Sequence, residues 1–290
     1  MPELPEVETM RRGIATVVGC VVTAVERARC KKKPIAIEPA AAVWRRRVVG
    51  QTITGTARAG KRVVVELGSS DRIVFEPRMT GLVLVADPPG PEHLRLTLRL
   101  GGGAARELLY WDRRGLGLVT LHTADEYATR FGEANLGPDA LVIGADELRA
   151  RLGKSRRAIK VALLDQRAVA GIGNLYASEI LHLAGIHPAK SCNRLVRSEW
   201  HAMHAAMLEV LELAIRYEGS TLADGTYRNA LNQSGGYQNH HRVYDKAGAL
   251  CRRCRSGQIR RVVQAQRSTF FCPVCQPLRR PATAGKVLQR

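Results

Sequence analysis

Two cysteine pairs, Cys251-x2-Cys254 and Cys272-x2-Cys275, separated by seventeen residues, constrain this chain more than any other local feature. Each pair can give two thiolates to one tetrahedral metal, and the stretch between them is long enough for a β-hairpin that brings the pairs together. The strand-like runs Ile259 to Ala265 and Ser268 to Phe271 fit that hairpin. Four thiolates leave no open position for water, so the expected Zn2+ is structural rather than catalytic. The other cysteines, Cys20, Cys30 and Cys192, are scattered and read as buried or idle thiols. Residues 251 to 290 hold ten Lys or Arg and no Asp or Glu, so the knuckle carries a concentrated positive field. Arg267, at the expected hairpin tip, is the residue such a scaffold could aim; a solvated arginine is the plainer alternative.

That field is part of a larger one. Across 290 residues, 45 Lys and Arg against 26 Asp and Glu give a formal charge of +19, which points to a polyanionic partner, most simply nucleic acid. A membrane surface fits less well, because no basic amphipathic helix dominates and no apolar run is long enough to span a bilayer. The sequence opens acidic where a secretory signal would be basic and then apolar, so the expected location is cytosolic (or, in a eukaryote, organellar or nuclear), most simply the bacterial cytoplasm at the nucleoid, with no membrane partner; a monomer is expected.

The opening Met1-Pro2-Glu3-Leu4-Pro5-Glu6-Val7-Glu8 admits two readings. With Met1 removed, Pro2 is a free secondary amine beside Glu3; an α-amino group titrates at about 7.7 to 8.0, so an appreciable fraction is a neutral nucleophile near neutral pH. Its adduct with an aldehyde-like carbon is an iminium, an electron sink for eliminations. Alternatively, Leu4, Val7, Met10, Ile14 and Val17 are the apolar stripe of a helix with Pro5 and Glu6 in its first turn. Both hold if that helix packs behind Pro2 and orders the terminus.

From residue 20 to 122 the pattern predicts short strands at Val21 to Val25, Thr52 to Ala57, Arg62 to Leu67, Ile73 to Glu76, Leu82 to Ala86, Leu94 to Leu98, Glu107 to Trp111 and Leu118 to Leu121. Gly101-Gly102-Gly103 reads as a loose hairpin turn. Leu136-Gly137-Pro138-Asp139 then opens a helical region with periodic segments at 145 to 152, 157 to 165, 174 to 185 and 197 to 217. Residues 222 to 237, rich in Gly, Ser, Asn and Thr, read as a mobile loop. In Asp165 to Asn174, two glycines allow a tight approach and Asn174 is placed to cap a helix starting at Leu175. Unpaired N–H groups at that helix start would make a phosphate site, with Lys154, Arg156, Arg157 and Lys160 just before it.

The N-terminal PELPEVE, the segment Leu164 to Glu179 (LDQRAVAGIGNLYASE), the stretch Ala265 to Cys275 (AQRSTFFCPVC) and the four-cysteine knuckle together resemble the formamidopyrimidine-DNA glycosylase and endonuclease VIII family, in order and over effectively the whole chain. The resemblance implies an α+β, multi-domain protein: an N-terminal β-sandwich with a leading helix at 1–123, a helix-two-turn-helix domain at 137–232 and a four-cysteine zinc-binding β-hairpin at 242–276; the basic tail at 277–290 is expected, from its composition, to be disordered until it meets DNA or a partner. It further implies a bifunctional DNA glycosylase and AP lyase of base excision repair, acting on double-stranded DNA with oxidised bases or abasic sites. Pro2 would attack C1′ and displace the base, Glu3 would handle protons during ring opening, and Glu6 would hydrogen-bond around the site. Lys61 would lie near the lesion phosphates, Asn174 and Arg267 would grip flanking phosphates, and Arg267 would assist the second elimination. Lys154, Arg156, His93 and Tyr244 are further DNA-binding candidates. Met79, and Arg114 with Leu116, match the side chains that fill the gap left by an extruded base.

The chain also departs from that pattern. Leu116 stands where phenylalanine is usual, Glu76 and Pro91 where histidines are common, Gly235-Gly236-Tyr237-Gln238 has one aromatic instead of two, and the cysteine spacing is one residue longer. Glu76 is expected to pair with a cation or point away from phosphate. Oxidised purines (8-oxoguanine, formamidopyrimidines) are the expected lesions. An endonuclease VIII-like preference for oxidised pyrimidines, a non-catalytic damaged-DNA binder and a zinc-ribbon protein of transcription or translation are the alternatives.

Overall fold

A computed structural model describes residues 2–28, 34–222, 225 and 227–278. Helix α1 (Leu4–Gly13) opens the chain, followed by β1 (Val21–Arg27), β2 (Ala36–Glu38), α2 (Ala41–Val48), β3 (Ile53–Ala59), β4 (Arg62–Leu67), β5 (Arg72–Glu76), β6 (Gly81–Leu84), β7 (Leu94–Gly101), β8 (Glu107–Asp112) and β9 (Leu118–His122). These strands form two sheets, ordered β1-β7-β8-β6 and β2-β9-β5-β4-β3, in which only the β2–β9 pair is parallel. Alternation explains the layering. On β4, Val63 and Val65 face the core between the sheets, whereas Val64, with Val74 of β5, packs outward against Tyr127, Phe131 and Leu136. The outward cover is α3 (Ala124–Phe131), whose start is fixed by Thr123 accepting from the Glu126 N–H and Glu126 accepting from the Thr123 N–H.

The second unit contains α4 (Ala145–Leu152), α5 (Ile159–Ala162), α6 (Asn174–Leu183) and α7 (Arg197–Arg216). Trp200, Met203, Met207, Val210, Leu211 and Ala214 form the buried stripe of α7 at helical spacing. The expected helix over 157 to 165 contracts to Ile159–Ala162, because Ala158 bridges Ser191 and the Ile159 N–H bonds the Lys190 carbonyl, which fixes a non-helical lead-in. The zinc-type hairpin is β10 (Arg260–Gln264) and β11 (Arg267–Phe271), antiparallel, with Gln264 opposite Arg267. Ala265 and Gln266 form its two-residue tip at φ of +46° and +60°, the left-handed geometry such a tight turn demands.

Helix α1 joins the first two units. Val7, Met10, Ile14 and Val17 belong to the sandwich core, whereas Leu4 belongs to the helical core. The stripe read from the sequence is buried but split between two domains, and the helix is shorter than expected: Ile14 caps α1 and Val17 lies beyond it in a 3-10 turn. The described residues from 222 to 236 form no helix or strand, as a loop reading expects, and the segment is packed: Tyr227 and Ala230 are buried in the sandwich core, and the Asn229 amide bonds the Glu218 carboxylate at 2.8 Å. Residues 223, 224 and 226 of that stretch, Cys30, and the tail beyond residue 278 lie outside the described residues. Cys20 and Cys192 are buried free thiols, as expected.

Candidate active site

Pro2, Glu3 and Glu6 are all buried at the start of α1. Glu3 is the residue just before the helix, and its backbone N–H donates to Glu6 Oε2 at 2.8 Å. Its side chain reaches across the molecule to the N-terminus of α6, where Oε1 accepts from Leu175 N at 3.0 Å and Oε2 from Tyr176 N at 3.4 Å. This corrects two expectations. The anion at that helix start is the carboxylate of Glu3 rather than a phosphate, and Asn174 is the first helical residue and does not cap it. The glycines provide the approach: a Cβ on Gly173 would lie 2.2 Å from Glu3 Cδ, and one on Gly171, at φ +106°, would lie 2.5 Å from Leu4 Cδ1.

Glu6 is enclosed by donors. Oε1 accepts from the Tyr176 hydroxyl at 2.5 Å and from Ser220 N at 2.8 Å. Burial, and then the charge of Glu3, push the Glu6 carboxyl above its ordinary value, while these hydrogen bonds pull the other way. Burial, and then Glu6, also hold the Tyr176 phenol well above its usual range, so it acts as a donor.

Cations surround the carboxylates. Gly60-Lys61 is the two-residue turn between β3 and β4, with Gly60 at φ +58°. That turn holds Lys61 partly buried, with its ammonium pKa lowered by burial and opposed by Glu3. Arg267, on the hairpin, acts electrostatically on both Lys61 and Lys160, so residues from three domains converge here. Lys160 donates to Asn174 Oδ1, and burial, then Arg267, pull its pKa down to about 8. The Asn174 amide donates to the Ser268 carbonyl at 2.9 Å, which docks α6 on the hairpin. Tyr244 stands beside Asn174 and stacks edge-on against Phe270 at 5.1 Å. Three successive N–H groups around it, from Arg242, Val243 and Tyr244, bond the buried Glu179 carboxylate at 2.8, 2.9 and 2.8 Å.

The remaining DNA-binding candidates lie further out. Met79 is 37% exposed. Arg114 and Leu116 follow β8 in a turn adjoining the Met79 loop. His93 packs edge-on against Trp111 at 5.4 Å, and Lys154 and Arg156 are exposed between α4 and α5. Glu76 pairs with Arg62 at 2.8 Å and Arg78 at 3.1 Å, the cation pairing expected of it. Sequence reasoning assigned no role to Tyr176, Ser220 or Glu179. Tyr176 and Glu179 lie within the segment Leu164 to Glu179 already singled out, but their partners are distant in sequence, and nothing local marks Ser220.

The sulfurs of Cys251, Cys254, Cys272 and Cys275 lie within 4.8 Å of one another, with Cys251–Cys275 at 3.8 Å and Cys254–Cys272 at 3.7 Å. A tetrahedron with zinc–sulfur bonds of about 2.3 Å has edges of about 3.8 Å, so the four thiols fit a zinc ion. His182 Nε2 lies 3.4 Å from Cys251 Sγ, the outer contact expected around a thiolate ligand. The ion's part is to fix the hairpin that carries Arg267.

Three family models match the chain: the formamidopyrimidine-DNA glycosylase N-terminal domain at residues 1–119, the H2TH domain of the same glycosylase at 136–225, and the zinc finger found in FPG and IleRS at 248–278. Among curated proteins, the formamidopyrimidine-DNA glycosylase of Lactococcus lactis subsp. cremoris is 37% identical over 282 residues, covering 95% of this chain and 99% of that protein. That of Thermomicrobium roseum is 39% identical over 295 residues, covering 96% and 100%. Among solved structures, a mutant of the Lactococcus lactis protein with Fapy-dG-containing DNA has a TM-score of 0.84 at 35% identity, covering 96% of this chain and 100% of that one. The wild-type protein with oxidised-pyrimidine-containing DNA has a TM-score of 0.82 at 36% identity, covering 96% and 100%.

Proposed function

Because the chain belongs to the formamidopyrimidine-DNA glycosylase family, we propose that it removes oxidised purines from double-stranded DNA and cleaves the resulting abasic site from its N-terminal proline. It is a base-excision repair glycosylase and AP lyase with a structural zinc. The observation that carries the chemistry is the burial of Pro2, Glu3 and Glu6 in a site to which Lys61, Lys160 and Asn174 also belong, with the exposed Arg267 acting electrostatically on both lysines, so that three domains contribute.

In this reading Met1 is removed and the Pro2 nitrogen attacks C1′ of the damaged nucleotide. The glycosidic bond breaks and the base leaves. Glu3, held at the α6 terminus, takes up the proton that the Pro2 nitrogen sheds on forming its adduct and passes it to the sugar ring oxygen as the ring opens and the iminium forms. Loss of a C2′ proton expels the 3′ phosphate (β-elimination), and a second elimination expels the 5′ phosphate, leaving a one-nucleotide gap with phosphate ends. Lys61, Asn174 and Arg267 hold the phosphates, with Lys154, Arg156, His93 and Tyr244 as further contacts. Met79, Arg114 and Leu116 enter the base stack, and Glu6 orients the N-terminal turn through Glu3 N, Tyr176 and Ser220. The proposed domain limits are 1–123, 137–232, 242–276 and 277–290. A monomer in the cytoplasm, on the nucleoid, suits this work, and among the described residues no helix is long and apolar enough to cross a membrane.

Borohydride reduction on abasic-site DNA should trap a covalent complex with the wild-type protein, and Pro2→Gly should weaken or abolish it. Protein that never cross-links would leave only a damaged-DNA binder; mass spectrometry of the N-terminus reports whether Met1 is absent. A preference for oxidised pyrimidines is the second reading, motivated by Leu116, which lacks a stacking face, and by the solved complex of a relative with an oxidised pyrimidine. Nicking of duplexes carrying 8-oxoguanine, formamidopyrimidine or thymine glycol separates the two; equal cleavage of all three would overturn the purine preference.

A further inference from the structure

We propose that Asp112 is a positioning residue that locks the Met79 loop and the Arg114–Leu116 loop into one rigid block, so that both enter the base stack as a unit. The inference rests on the reading that these side chains fill the gap left by an extruded base.

Asp112 ends β8 and is fully buried, an expensive place for a carboxylate unless its oxygens are satisfied. They are saturated. Oδ1 accepts from the Thr80 hydroxyl at 2.5 Å and from Arg114 N at 3.2 Å, and Oδ2 accepts from Leu116 N at 2.9 Å and Gly117 N at 2.7 Å. Four donors match the approximately four acceptor positions of an ionised carboxylate. Thr80, next to Met79, also accepts from Arg114 N at 2.9 Å through its hydroxyl oxygen, so one hydrogen-bond cluster spans both loops. The Asp112 carbonyl is itself held by Arg95, which is 2% exposed, through Nε at 3.0 Å and Nη2 at 2.7 Å.

The loop needs this anchor because it turns within five residues. Gly115 takes φ +59°, and a Cβ on Gly117 would lie 1.8 Å from the Tyr110 hydroxyl, so the backbone folds back tightly over β8. The side chains that would meet DNA are at the surface, whereas the groups that set their spacing are buried. Such a block is pre-organised: little of its backbone order has to be created when DNA binds. Asparagine at 112 presents one carboxamide oxygen in place of two carboxylate oxygens: with that oxygen kept toward Leu116 and Gly117, its NH2 must reverse the Thr80 bond and meets the Arg114 N–H donor to donor, so the join between the two loops is weakened.

The test compares a duplex lesion, where the base must be extruded, with single-stranded abasic DNA, where neither extrusion nor gap filling is required. For Asp112→Asn the ratio of duplex nicking rate to single-strand borohydride trapping rate should fall about tenfold, and 2-aminopurine fluorescence beside the lesion should report slower extrusion. Thr80→Val, which deletes only the bridging hydroxyl at similar volume, should shift the ratio the same way and guards against an Asp112 variant that folds poorly. Combining Asp112→Asn with Met79→Ala should give a loss smaller than the sum, because both act on one step. Unchanged ratios in both single variants, or additive losses, would overturn the proposal while leaving the lyase reading intact. Wild-type protein that traps on neither substrate would overturn the lyase reading instead.

Discussion

Gly173→Ala isolates the contact that positions the proposed proton carrier. Gly173 has φ −124° and ψ −162°, extended backbone that alanine adopts without strain, so the change acts through its methyl group alone. That methyl would sit 2.2 Å from Glu3 Cδ and 2.4 and 2.6 Å from the two carboxylate oxygens. Restoring ordinary contact requires the carboxylate to retreat by about 1 Å, which breaks its bonds to Leu175 N and Tyr176 N, now 3.0 and 3.4 Å. A hydrogen bond to a charged group is worth about 1.5–3 kcal/mol and a helix-terminus interaction about 0.3–1 kcal/mol. About 2–4 kcal/mol of transition-state stabilisation is therefore exposed to loss, or roughly 30- to 1,000-fold in rate. A misplacement of about 1 Å costing about 100-fold falls in the middle of that range. Single-turnover nicking of an 8-oxoguanine duplex should fall by about that factor, while affinity for a duplex carrying a stable abasic analogue changes less than about threefold. Gly144→Ala is the control, since it also lies just before a helix in extended backbone but a Cβ there meets nothing within 4 Å. Nicking within threefold of wild type, or an equal loss in Gly144→Ala, would refute the role of the Glu3–α6 contact.

Lys160, whose pKa burial and then Arg267 lower from 10.5 to about 8, should make DNA binding pH-dependent. Phosphate favours the charged ammonium, so affinity should weaken as pH rises from 7 to 9.5, and Lys160→Met should flatten the curve; a pH-independent wild-type Kd would count against it. Removing zinc with a chelator, or Cys272→Ser, should lower Tm and abolish specific DNA binding through loss of the hairpin, with about one zinc per chain measured in wild type. If Lys61, Lys154, Arg156, Lys160 and Arg267 all neutralise phosphates, log affinity against log salt should have a slope of about −4.5, and Arg267→Gln should make it shallower by about 0.9. A flat response would exclude most of these contacts.

Local chemistry explains which parts were legible in the sequence. All eight strands expected between residues 20 and 122 form, because half-buried antiparallel strands write their alternation and turns into the chain. The metal pairs were legible for the same reason, since each CxxC is a contiguous unit. Strand β2 and helix α2 were missed: three residues cannot display a period, and α2 buries only Trp44 and Val48 among three arginines. Helix α3 carried a readable signal in Thr123-x-x-Glu126 that went unused. The Asn174 error is of another kind. Its local sequence suits a cap, but Lys160 and the Ser268 carbonyl claim its side chain, and Glu3 claims the helix N–H groups.

Glu3 and Glu6 lie three residues apart, yet partners elsewhere in the chain give them different work. Glu3 faces the N-terminus of α6, where the helix N–H groups of Leu175 and Tyr176 fix its direction. Glu6 turns into the protein, where burial and Glu3 itself raise its pKa and Tyr176 and Ser220 occupy one of its oxygens. In the proposed reading, these contrasting surroundings separate a carboxylate that exchanges a proton with substrate from one that holds the frame. Beyond the Glu3 N–H bond to Glu6, the hydrogen bonds that hold these two carboxylates come from Leu175, Tyr176 and Ser220, outside the sandwich that carries Pro2. The N-terminal turn is thus a local motif in sequence and an interdomain site in structure, which is why its first eight residues could suggest a nucleophile but could not establish its surroundings.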